Sequence, residues 1–218
     1  MPKARAQAPI HLVQALDVLS EVRENAVVVT SMGSAREWVR RFDPHPFDFV
    51  HVPSSMGQTP AIGLGIALAQ PARRVITCVG DGSLLMNLGC LATIAAAKPE
   101  NFVLIVFDNG AYEVTGGQPT PVAGGAPQFD FAMTARAAGF AEVESLDNLA
   151  DWRNQASQLI HLPGPVCLVL RVQANPSAGP VDRLPPAGER ARAFAAALQG
   201  DDAPRHPPDS SQSPEPGT

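Results

Sequence analysis

Between residues 73 and 112 the chain reads RRVITCVGDGSLLMNLGCLATIAAAKPENFVLIVFDNGAY. Two short, β-branched, apolar runs, VITCV and FVLIVF, flank a stretch in which Leu84, Leu88, Leu91 and Ala95 recur at helical spacing. Runs that are apolar throughout suit strands buried on both faces. Two such strands joined by a helix lie parallel. The unit therefore predicts an α/β chain with a helix over 83–97. It also sets Gly80-Asp81-Gly82-Ser83 and Asp108-Asn109-Gly110 at the carboxyl ends of consecutive parallel strands. In open α/β sheets ligands bind along that edge.

The flanking sequence extends the pattern. Residues 9–23 carry Ile10, Val13, Leu16 and Leu19 on one helical side, NAVVVT (25–30) reads as a strand, and SMGSAREWVRRF opens as a loop and becomes a helix. FDFVHV (47–52) reads as a short strand, and SSMGQTPAIGLGIALAQ as a loop entering a helix, with Pro60 where a missing N–H costs nothing. Residues 109–128 have no hydrophobic period and are rich in Gly and Pro, as functional loops often are. A helix ended by Gly139, a strand over 141–146, a helix from Asn148, a buried strand over 164–172 and a last helix ending at Gly200 complete the chain. Strands alternating with helices predict one doubly wound parallel sheet with helices on both faces, a single domain over residues 1–200. Residues 201–218, rich in Pro and Ser and almost without apolar side chains, are expected to be a disordered tail.

Composition narrows the partners. A net charge of −5 leaves no basic footprint for nucleic acid. No segment approaches the roughly 20 apolar residues that span a bilayer. The N-terminus has no apolar core with a cleavage site, so no signal peptide is read there. Cys78, Cys90 and Cys167 are scattered, which points to reduced structural thiols in a cytoplasmic protein. The chain has no Gly-x-Ser-x-Gly elbow, no P-loop and no H-E-x-x-H, and its first strand is not followed by G-x-G-x-x-G.

The polar clusters suggest a chemistry. Gly80 and Gly82 allow a ligand to approach the backbone closely, and the N–H groups of a helix starting at Ser83 favour a phosphate. A carboxylate beside a phosphate is repulsive unless a divalent cation lies between them, and Mg²⁺ takes oxygen ligands shared between protein and phosphate. Asn109 can add an amide oxygen, and a backbone carbonyl just beyond it another. A helix cap and an Asn-Gly turn would explain either cluster alone. Both together favour metal and diphosphate.

Gly80-Asp81-Gly82-Ser83 followed by Asp108-Asn109-Gly110-Ala111-Tyr112 resembles the signature of thiamine diphosphate-dependent enzymes. The resemblance implies that Asp81, Asn109 and the Ala111 carbonyl hold Mg²⁺ against the diphosphate, with Tyr112 following. Asp108 departs from the more usual Asn-Asn pair, at a position that is not a ligand in the family. Ser54-Ser55-Met56-Gly57 is similar to the family segment whose bulky residue props the cofactor in a bent shape; Met56 would be that prop, and the Ser54 carbonyl would receive the aminopyrimidine amine. Ser31, Gly33 and Ser34 correspond to the turn that helps to hold the diphosphate. The segments GDGSLLMNLGCLATIA and YEVTGGQPT resemble those of the small, split sulfopyruvate and phosphonopyruvate decarboxylases, specifically the diphosphate-binding half. Tyr112, Thr115 and Gln118 would then face an arriving small anionic 2-oxoacid, and Gln58 stands where some relatives have a histidine.

In that family the activating glutamate belongs to a second, pyrimidine-binding domain. One sheet uses up this chain, so the resemblance implies a partner subunit that supplies the glutamate, in a hetero-oligomer. A non-catalytic thiamine diphosphate-binding protein, regulatory or scaffolding, is the alternative; it would have no need of a conformational prop. A subunit of a 2-oxoacid:ferredoxin oxidoreductase would be expected to bring clustered cysteines, which the sequence lacks. Which 2-oxoacid, and whether release or carboligation follows, stays open at this level.

Overall fold

In the computed structural model the described residues are 10–50, 56–123, 129–173 and 184–202. The strands are β1 (Ile10–His11), β2 (Val27–Thr30), β3 (Asp48–Val50), β4 (Val75–Gly80), β5 (Phe102–Asp108), β6 (Ala111–Tyr112), β7 (Gln118–Pro119), β8 (Glu142–Leu146) and β9 (Val166–Gln173). The helices are α1 (Leu12–Val22), α2 (Met32–Arg41), α3 (Thr59–Ala69), α4 (Asp81–Leu85), α5 (Cys90–Ala97), α6 (Phe131–Ala138), α7 (Leu149–Leu159) and α8 (Ala187–Asp202). Seven strands form one sheet in the order β1-β9-β5-β4-β2-β3, with β8 also beside β9. Every pairing in it is parallel.

The middle of the sheet is buried on both sides because β2, β4, β5 and most of β9 are apolar at nearly every position. Val28, Ile76, Cys78, Val103 and Ile105 face α1, α2 and α7, with Trp38 and Trp152 in the same core. Val27, Val29, Val75, Val79, Leu104 and Val106 face the other core, built with α3 to α6 and α8. This is the doubly wound sheet expected from the alternation of elements. The three cysteines are buried and unpaired, and burial pushes the Cys78 thiol up to about 12. No helix among the described residues is long and apolar enough to cross a membrane.

The amino ends of the central strands are stitched by side chains. Asn101 donates through one amide nitrogen to the carbonyls of Ala67, Gln70 and Arg73 at 2.8–3.0 Å. Arg74 donates to the carbonyls of Glu100, Leu162 and His161. Arg23 pairs with Asp48, both nearly buried, and Trp38 Nε1 donates to the same carboxylate at 2.8 Å.

Four expectations change, the first being that the helix read over 9–23 begins at Leu12, after the two-residue strand β1. The helix predicted over 83–97 begins instead at Asp81, stops at Leu85 and resumes at Cys90. Between them Met86 and Asn87 N–H groups bond three residues back, and the Asn87 side chain reaches sideways to the Gly57 carbonyl at 3.0 Å. The loop from 109 contains the antiparallel pair β6–β7 around a 3₁₀ turn (Glu113–Thr115), reversed by Gly116 and Gly117 at positive φ. The last helix runs to Asp202. Most of the Pro- and Ser-rich tail, from residue 203, lies outside the described residues, as do Ser54, Ser55 and the end of the strand expected over 47–52.

Candidate active site at the carboxyl edge of the sheet

Three strand ends converge on one cleft. After β2, Ser31 leads directly into α2, whose first residues are Met32, Gly33 and Ser34. Met32 has φ +48°, an uncommon conformation for a side chain of its size. The Ser34 hydroxyl donates to the Ser31 carbonyl at 2.7 Å. No side chain caps α2 and its first turn holds no acidic residue, so its leading N–H groups are not answered by its own sequence. A carboxylate oxygen from another element stands there: a Cβ on Gly33 would lie 3.1 Å from Glu113 Oε2.

After β4, Gly80 has an ordinary φ of −79°, and a Cβ there would meet nothing within 4 Å. Neither the backbone nor the packing requires glycine at this point; the space it leaves is the cleft. Gly82 is a different case, because Tyr112 lies against it. Asp81 between them is only 1% exposed. Its Oδ2 accepts from the Gly110 N–H at 3.0 Å and from the Thr120 hydroxyl at 3.4 Å. Its Oδ1 is buried and has no hydrogen-bond partner. Burial, with the nearby Asp108 charge, pushes the Asp81 carboxyl up to about 6 against the moderating backbone N–H groups of Gly82, Asn109 and Gly110. Of these, Gly110 makes the aligned bond.

After β5, Asn109 Oδ1 accepts from the Ala111 N–H at 2.8 Å, folding the turn over the end of β4. Gly110 takes φ +71°, which only glycine adopts without strain. Asp108 is half-buried; burial raises its carboxyl and Arg171, its neighbour in register on β9, opposes that.

The cleft gathers Ser31, Gly33, Ser34, Met56, Gly80, Asp81, Gly82, Ser83, Asn109, Ala111 and Tyr112 from the sequence-predicted set, and Thr115 with them. Gly57 does not line it. Its N–H donates to Ser83 Oγ at 2.9 Å, so that hydroxyl braces the Met56 turn, and Ser83 does not start the helix. Gln118 is turned back on its own hairpin, donating to the Thr115 carbonyl at 3.0 Å. Met32, Met86, Phe107, Glu113 and Val114 also line the cleft and were not expected from the sequence. Thr120 was missed as well; it is buried against Asp81, thirty-nine residues away in the chain.

Among the described residues no three His, Cys, Asp or Glu side chains cluster. A cation in the cleft would therefore be held by a mixed oxygen set, one carboxylate with amide and carbonyl oxygens, as Mg²⁺ accepts. A buried carboxylate oxygen without a donor is costly alone and becomes favourable once a cation answers it. The residues present fit a divalent cation and, beside it, an anionic ligand.

Comparisons with known proteins agree with the anionic ligand. The model of the thiamine pyrophosphate enzyme C-terminal TPP binding domain matches residues 31–170. The chain is 34% identical over 154 residues to the sulfopyruvate decarboxylase subunit beta of Methanothermobacter thermautotrophicus, covering 71% of this chain and 77% of that one. It is 33% identical over 172 residues to the phosphonopyruvate decarboxylase of Streptomyces viridochromogenes, covering 79% of this chain but 42% of that one. The thiamine diphosphate-dependent 4-hydroxybenzoylformate decarboxylase of Rhodococcus jostii RHA1 shares the fold, with a TM-score of 0.64 and 21% identity over 81% of this chain and 35% of that chain.

Proposed function

Because this chain belongs to the thiamine pyrophosphate enzyme family, through the family's C-terminal cofactor-binding domain, we propose that it is the diphosphate-binding subunit of a Mg²⁺-dependent 2-oxoacid decarboxylase. Its substrate would be a small anionic 2-oxoacid of the sulfopyruvate or phosphonopyruvate kind. It would act in the cytoplasm, and only within a hetero-oligomer whose second chain binds the pyrimidine and supplies the activating glutamate. The names of its relatives, a decarboxylase beta subunit and a longer decarboxylase of which it matches 42%, support this reading.

The observation that carries it is the buried, unpartnered Oδ1 of Asp81 at the wall of a cleft that Gly80 keeps open. Asp81, Asn109 and the Ala111 carbonyl would hold Mg²⁺. The turn from Ser31 to Ser34 and the uncapped start of α2 would receive the diphosphate. Bound thiamine diphosphate supplies an electron sink for the bond that breaks when carbon dioxide leaves. Met56 stands on the cleft wall, 38% exposed, where it can brace a bound ligand. Tyr112 and Val114 also line the cleft.

Native mass spectrometry of the chain, gently purified from its host with Mg²⁺ present, tests the reading. A complex with a second subunit and thiamine diphosphate is expected. A partnerless oligomer with bound cofactor would instead indicate a non-catalytic binder. Titration of the complex with thiamine diphosphate and Mg²⁺ should show saturable uptake, and its absence would overturn the reading.

A further inference from the structure

Thr120 ends the segment YEVTGGQPT but has no part among the residues assigned to the cofactor or the metal, yet it touches Asp81, on which they converge. We propose that Thr120 is a positioning residue: its hydroxyl holds the Asp81 carboxylate so that Oδ1 is the oxygen presented to the cation. The inference rests on the reading of Asp81 as a Mg²⁺ ligand.

Thr120 is 3% exposed, and a buried hydroxyl needs a partner. Its hydroxyl is 3.4 Å from Asp81 Oδ2, and an ionised carboxylate can only accept, so the hydroxyl donates. The Gly110 N–H reaches the same oxygen at 3.0 Å. With two donors on Oδ2 the carboxylate cannot rotate freely, and Oδ1 is left without a donor. Thr120 is itself fixed: its N–H donates to the Gly110 carbonyl at 2.9 Å, and its carbonyl accepts from the Ala123 N–H at 2.9 Å. Asp81, Gly110 and Thr120 thus form a closed circuit, each bonded to the other two. It ties the end of β4 to the turn after β5 and to the strand that returns from the hairpin. Partners that orient a metal ligand typically change metal affinity about 10- to 100-fold when removed.

The test is Mn²⁺ affinity, read by electron paramagnetic resonance on the full chain with saturating thiamine diphosphate, in Thr120→Val, Thr120→Ala and Thr120→Ser. Thermal unfolding of each metal-free chain runs in parallel. Removing the hydroxyl should weaken Mn²⁺ about tenfold, with alanine matching valine; serine should restore it to within about twofold. Unchanged Mn²⁺ affinity in the valine and alanine variants would overturn the positioning role, as would a serine variant as weak as they are. A wild-type chain that binds thiamine diphosphate but takes up no Mn²⁺ sinks the metal reading and this role with it.

Discussion

The ring of Tyr112 lies where a side chain on Gly82 would have to begin: a Cβ there would stand 2.6 Å from Cδ1 and 2.8 Å from Cε1. The glycine is therefore demanded by an aromatic ring from the next strand unit. Gly82→Ala should push the ring off the end of β4, costing about 1–3 kcal/mol. It should also lower thiamine diphosphate affinity. In a Tyr112→Ala background the same change should cost measurably less, because the clash has gone. A denaturant-unfolding double-mutant cycle checks this; strict additivity would mean the two residues do not interact.

Asp81→Asn should separate stability from binding. The native carboxylate is held with one oxygen unanswered, so its neutral isostere should stabilise the metal-free chain by about 1–3 kcal/mol. The same variant should lose Mg²⁺-dependent cofactor binding. Calorimetric melting and cofactor titration read the two effects; a destabilised variant that still binds would refute the assignment.

Acidity should act on the same group. The Asp81 carboxyl titrates near 6 in the folded chain against 3.8 ordinarily. Raised in the folded state, it takes up protons there first, so metal-free stability from this group is present at low pH and is lost as pH rises through about 6. Metal binding requires the ionised form, so it runs the other way: flat above about pH 7 and falling about tenfold per unit below 6. Titrations across this range check both slopes, which Asp81→Asn should abolish.

Met56 offers the reverse case. It is exposed at the cleft and fills no core, so Met56→Ala should change unfolding free energy by less than about 0.5 kcal/mol. Turnover of the assembled enzyme should nevertheless fall roughly 10- to 100-fold if the side chain braces the reacting ligand. Full activity would place the brace elsewhere.

Glu113 puts a negative charge over the first turn of α2, where the proposed diphosphate would lie. Glu113→Gln keeps the shape and removes the repulsion. Thiamine diphosphate affinity should rise about fivefold, roughly 1 kcal/mol, with the gain shrinking in high salt. Isothermal titration at two ionic strengths checks it, and weaker binding by the variant would show that the carboxylate is itself part of the binding site.

The sheet was legible because VITCV, but for Thr77, and FVLIVF are apolar throughout, and the edge carrying the candidate site followed from their direction. That Asp81 and Asn109 would meet in one cleft was legible because both stand just past the carboxyl ends of those strands. The break between α4 and α5 was not, since Leu84, Leu88, Leu91 and Ala95 keep one apolar face across it while the backbone shifts to bonds three residues back and Asn87 reaches sideways. Thr120 was invisible for a related reason. A threonine between two prolines carries no local sign of the carboxylate it meets through folding. Glu113 likewise meets Gly33 only because the hairpin folds back.

Asn101 and Arg74 bind the amino ends of the strands through backbone carbonyls alone, and neither side chain lines the cleft at the opposite edge. Foldability and chemical choice are thus inherited through different residues. The hairpin from Glu113 to Gln118 can therefore vary in sequence while the sheet beneath it goes on assembling as before.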